Sequence, residues 1–190
     1  TYGRSYVFNL AATTSHPSNT WTIRGFTGFD SVYNPNKIFV INGNFTVTET
    51  FSNTWLKVEV RNGSKFTIGP DAHSRISRGG AVSEYLVKSG GAAEFGGTYH
   101  LKNIRIENQA GGTFTIDPVA FYYDYYAREG NGTYPRTLDN AGTFNFPHGL
   151  DLRAPASYSQ DYTSDPPVFQ IRQNAGTMTF GGDFKCTAAP

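Results

Sequence analysis

The stretch FYYDYYAREGNGTYP, residues 121–135, sets five tyrosines beside Asp124, Arg128 and Glu129. Tyrosine rings offer flat faces to a sugar ring while carboxylate and guanidinium groups bond hydroxyls. Tyr122, Tyr123, Asp124, Tyr125, Tyr126 and Arg128 are therefore candidate ligand-binding residues. Packing of the same rings over neighbouring strands is the competing use of this composition. A second stretch, RAPASYSQDYTSDPP (153–167), adds Tyr158 and Tyr162 to the candidates.

Other chemistries draw on fewer residues. A lyase or glycosidase would need paired carboxylates and a base, which Glu59, Glu84, Glu94 and Glu107 with Arg61, Arg75, Arg105 or Lys88 can supply. Outward charges of this kind are also what any β-surface needs. No Gly-x-Ser-x-Gly elbow occurs, Cys186 in FKCTAAP reads as a tail residue, and GGAAEFGG lacks the Lys-Ser/Thr of a phosphate loop. His16, His73, His100 and His148 are far apart, and Asp71 shares a face with His73 only if that stretch is extended. Asp161 and Asp165 in DYTSDPP have the oxygens for Ca²⁺ but read as a solvated loop, so no metal or other cofactor is expected. The pairs Thr46/Thr48, Thr113/Thr115 and Thr177/Thr179 make an outward hydroxyl array of the ice-binding kind. Lys65, Glu94 and Asn145 interrupt it, and β-branched outward residues are also simply good strand formers. Asn44, Asn62 and Asn131 fall in Asn-x-Thr/Ser sequons that corner chemistry produces by itself.

The elements that must hold these residues repeat. RNGSKFTIGPDA, NQAGGTFTIDPVA, DNAGTFNFPHGL and RQNAGTMTFGGDF share one order: an Asn/Gly corner, a short strand with an apolar residue at every second place, then Gly or Pro. A strand also leads into the corner, as with Val58 and Val60 before Asn62, or Ile104 and Ile106 before Asn108. Neither strand folds alone. Stacking the units edge on edge would line up Phe66, Phe95, Phe114, Phe144 and Met178 as one internal column, with corner Asn side chains bonding from unit to unit. The expected fold is all-β: a single-domain β-solenoid, in the form of a right-handed parallel β-helix. An antiparallel sandwich or jelly roll also has short alternating strands, but does not call for the same corner before each core aromatic. Residues 1–36 lack the pattern and read as an N-terminal cap. Residues 37–190 read as rungs, with inserted loops at about 119–137 and 149–167.

The segments KIFVINGNFTVTETFSN, VEVRNGSKFTIG and IRQNAGTMTFGG resemble the degenerate rungs of pectin-lyase-like β-helices in bacterial surface proteins, including autotransporter passengers and secreted or lipid-anchored proteins of gut Bacteroidetes. The resemblance covers about residues 37–184. It implies an adhesive, glycan-binding or structural role at the cell surface, and carries over no catalytic motif.

Composition bounds the partners. The chain of 190 residues carries 16 Lys plus Arg against 15 Asp plus Glu, which gives no overall field to attract nucleic acid. Basic residues gather over 57–105 and acidic ones over 106–190. A single Cys forms no internal disulfide, and no apolar run reaches the length of a membrane span. The expectation is a monomeric, non-enzymatic module outside the cell or on its surface that binds a host or dietary glycan or a surface protein. A polysaccharide-active lyase or glycosidase and a purely structural stalk are the alternatives.

Overall fold

A computed structural model describes residues 6–9, 20–29, 38–54, 57–70, 73–76, 83–96, 98–101, 104–117, 120–123, 136–153 and 169–187. These residues are all-β with parallel sheets and no helix, an arrangement compatible with a β-solenoid. In chain order the strands fall into seven units. The first two are β1 (Tyr6–Asn9) with β2 (Thr20–Phe29), and β3 (Ile38–Asn42) with the long β4 (Asn44–Thr54). Then come β5 (Lys57–Val60), β6 (Lys65–Ile68) and β7 (His73–Ile76), followed by β8 (Ser83–Val87), β9 (Ala92–Phe95) and β10 (Thr98–Leu101). The last three are β11 (Ile104–Asn108), β12 (Thr113–Ile116) and β13 (Ala120–Tyr123); β14 (Arg136–Asn140), β15 (Thr143–Phe146) and β16 (Leu150–Arg153); and β17 (Phe169–Gln173), β18 (Thr177–Phe180) and β19 (Phe184–Thr187).

Each strand pairs in parallel with its counterpart in the next unit. The lead-in strands form a seven-stranded sheet, β1-β3-β5-β8-β11-β14-β17. The others form a twelve-stranded sheet with two arms that meet on β4, whose first half pairs with β6 and whose second half pairs with β7. Every strand pair among the described residues is parallel, which an antiparallel sandwich does not allow. The third strands of the last five units have no clear signal in the sequence, and β13 and β16 occupy the first part of the stretches read as insertions.

Alternation sends every second side chain into the core. Along β5 and β6, Val58, Val60, Phe66 and Ile68 are buried while Glu59 and Thr67 are not. The rings form a continuous series: Phe39–Phe45 at 5.6 Å, Phe45–Phe66 at 6.3 Å, Phe66–Phe95 at 6.0 Å, Phe95–Phe114 at 4.8 Å and Phe114–Phe144 at 5.0 Å. From Phe144 it runs through Phe146 to Phe180 and Phe184.

The expected register needs one correction. The partner of Phe66 and Phe114 is Ala93, whereas Phe95 stands in the column of Ile68 and Ile116. Because Ala93 has only a methyl group there, the Phe95 ring fills the space between Phe66 and Phe114. Met178 holds its expected place opposite Phe144 but is only partly buried, since β18 is the last strand of its arm among the described residues. Phe180 and Phe184 in the same unit are 37% and 51% exposed.

The corners differ in length. Three have four residues, Arg61–Ser64, Lys88–Gly91 and Gln109–Gly112, each closed by a bond from the fourth N–H to the first C=O at 2.8–3.0 Å. Their third residues, Gly63, Gly90 and Gly111, have φ of +70°, +72° and +79°, as a turn of this type demands. The turns also stack: the N–H groups of Gly63 and Gly90 donate to the carbonyls of Gly90 and Gly111 at 2.9 Å. The β14–β15 corner has only Ala141 and Gly142. A Cβ on Gly142 would press on the carbonyl oxygens of Gly112 and Gln109. Gly142→Ala is therefore expected to lose about 1–3 kcal/mol in urea denaturation. Gly63→Ala, where a Cβ meets nothing within 4 Å and only the positive φ matters, should lose about 1 kcal/mol.

Candidate functional site

The third strands position the tyrosine-rich stretch. β13 pairs with β10 through His100↔Tyr122 and Leu101↔Tyr123, and with β16 through Phe121↔Leu152 and Tyr122↔Arg153. On the other side β10 pairs with β7 through His100↔Arg75. Arg75, His100, Tyr122 and Arg153 thus form one register column across four neighbouring strands. Leu150 belongs to the hydrophobic core. Phe121 and Leu152 share one register column and Tyr122 and Arg153 the next. Asp151, next to Leu150 on β16, is buried and in register with Lys185.

β13 ends at Tyr123 and β16 at Arg153, so 124–135 and 154–168 begin from the same end of two adjacent strands. Of the sequence-derived candidates, Tyr122 and Tyr123 lie on β13. Asp124, Tyr125, Tyr126, Arg128, Tyr158 and Tyr162 lie outside the described residues, as do Asp71, Asp161 and Asp165.

Three of the four candidate carboxylates, Glu59, Glu84 and Glu107, share the outer face of the seven-stranded sheet, and Glu94 lies on the other sheet. Glu94 lies on β9, where its Oε2 is 2.5 Å from Lys65 Nζ. Glu59 Oε1 accepts from Arg61 Nε at 3.0 Å, and Glu84 stands in register between Lys57 and Arg105. Glu107 Oε1 accepts from Gln109 Nε2 at 3.1 Å and is in register with Asp139, 3.6 Å from Arg172. Asp139 escaped the sequence reading. The signal was there, because Asp139 precedes Asn140 at its corner as Glu107 precedes Asn108.

Two further groups are placed by the ladder. Thr22, Thr46, Thr67, Thr115 and Thr179 share a register column in which Glu94 and Asn145 take the remaining places. Asn145 Nδ2 donates to Thr115 Oγ1 at 3.4 Å. Beside this column the Arg24 guanidinium donates to Glu49 at 2.5 Å, which raises its pKa, first by the bond and then by the charge. His148 Nε2 is 3.3 Å from Asp117 Oδ1 on an exposed turn. Among the described residues no three His, Cys, Asp or Glu side chains gather as metal ligands. No family model, curated protein or solved structure matches the chain.

Proposed function

We propose that this chain is a non-enzymatic carbohydrate-binding or adhesive module, built as a right-handed parallel β-helix and working as a monomer outside the cell or on a bacterial surface. Right-handed winding is the hand that twisted parallel strands favour. Residues 1–36 act as its cap, with β1 and β2 as the end strands. The observation that supports the binding role most is the in-register pairing of β13 with β16. Both tyrosine-bearing stretches begin at the ends of adjacent strands, so in this reading Tyr122, Asp124, Tyr125, Tyr126 and Arg128 join Tyr158 and Tyr162 in one ligand surface for a host or dietary glycan or a surface protein, while alternation from the core residue Leu150 sets Tyr123 on the core side beneath it.

Strand alternation makes the test specific. Tyr122→Ala should weaken binding on a glycan array at least tenfold without moving the melting temperature, as loss of a stacking platform does. Tyr123→Ala, on the core face, should lower the melting temperature instead. Glycan binding unchanged by deletion of residues 124–133 in a folded protein would refute the assignment. Turnover of a polysaccharide by the intact chain would replace it with the lyase or glycosidase reading.

A further inference from the structure

The structure assigns a second carbohydrate site, independent of the tyrosine stretches: a recess on the seven-stranded sheet that takes one neutral sugar unit. Its origin is the change in corner length. Four residues separate Asn108 from Thr113, two separate Asn140 from Thr143 and three separate Gln173 from Thr177, although all three corners start and end in register. The middle corner therefore recedes between two that stand out. The resulting cavity of about 350 Å³ has Ala141 at the short corner, Gln109, Ala110 and Asn174 from the longer ones, and Arg105, Glu107 and Asp139 from the strands. That volume lies at the small end of ligand sites.

The lining decides the class. Two alanine methyls suit the C–H face of a pyranose. The carboxylates, amides and guanidinium are planar groups able to bond adjacent hydroxyls in pairs. Glu107 and Asp139, one strand spacing apart, disfavour an anionic sugar. Arg105 in the recess and Arg172 beside Asp139 leave the site without the net negative charge that would select an amine. A neutral polyol is the ligand whose groups all find partners. The two sites lie on different sheets, so one glycan chain long enough to reach both would be held with added avidity.

Backbone amide NMR on the intact chain tests this, with methyl glycosides of glucose, galactose, mannose and N-acetylgalactosamine as probes. At least one should shift the amides of Ala110, Ala141 and Asn174 saturably, and Glu107→Gln or Asp139→Asn should weaken that binding about tenfold or more at unchanged melting temperature. Galacturonate and glucosamine should bind more weakly than the best neutral glycoside. No localised shift with any probe, shifts indifferent to both substitutions, or preferential binding of either charged sugar would overturn the proposal. Tyr122→Ala should leave these shifts in place, so failure at the recess and failure at the tyrosine surface are read separately.

Discussion

Phe114→Ala is expected to cost about 3–5 kcal/mol in urea denaturation, as large an effect as a single truncation among the described residues should have. The ring is fully buried and lies between Phe95 at 4.8 Å and Phe144 at 5.0 Å, so its removal opens a hole in the middle of the aromatic series. Its register partners are Ala93 and Phe144. Ala93 has nothing to move into the hole, and Phe95 is already committed to the gap on that side. Phe184→Ala removes the same ring where half of it meets solvent, and should cost less than about 1 kcal/mol. Equal losses at the two positions would mean that the ring series does not define the core.

Asn140→Val should cost about 2–4 kcal/mol, the second-largest effect, through buried hydrogen bonds rather than packing. Asn140 is completely buried. Its Nδ2 donates to Gln173 Oε1 at 2.9 Å and to the Thr177 carbonyl at 3.1 Å, and its Oδ1 accepts from Asn108 Nδ2 at 2.8 Å and from the Gly142 N–H at 3.2 Å. A two-residue corner cannot close its own turn, so the side chain does it. The four-residue corner after Asn108 differs: the Gly112 N–H is taken by the Gln109 carbonyl, and Asn108 Oδ1 is left without a partner. Asn108→Val loses only the Nδ2 bonds to Asn140 Oδ1 at 2.8 Å and to the Thr143 carbonyl at 2.9 Å, and Val87 already holds that place one unit earlier, so the substitution should cost about 1–2 kcal/mol, less than Asn140→Val. A loss at Asn108 as large as that at Asn140 would contradict this division.

These two residues also mark what the sequence makes legible. The alternation around Phe114 and the corner phrase before it give strand, face and stacking direction without coordinates, because period two and a left-handed glycine are local signals. The amide ladder is foreseeable in kind but not in place. Asn62 and Asn174 are exposed, while Asn108, Asn140 and Gln173 form the ladder, and only their shared register separates them. The sequence pattern alone sets Phe95 in its neighbours' column because both columns are apolar, and only the stacked register reveals that Ala93 makes room for its ring. Third strands such as His73–Ile76 and Ala120–Tyr123 are four residues long and follow no fixed corner, so their pairing is set by the ladder already formed. The recess was invisible for a related reason: it depends on the difference between three corner lengths, which matters only once the corners are stacked.

The binding account rests on β13 and β16 being in-register parallel neighbours, and disulfide trapping measures this directly. In a Cys186→Ser background, Tyr122→Cys with Arg153→Cys brings two thiols onto adjacent strands about 4.8 Å apart, within the span of a disulfide. Mild oxidation should close the bond inside one molecule, seen by mass spectrometry, at unchanged or higher melting temperature. The control pair Tyr122→Cys with Thr187→Cys, one strand further on, should stay open. Closure of the control but not of the Tyr122–Arg153 pair would contradict the register, and with it the placing of both tyrosine stretches on one surface.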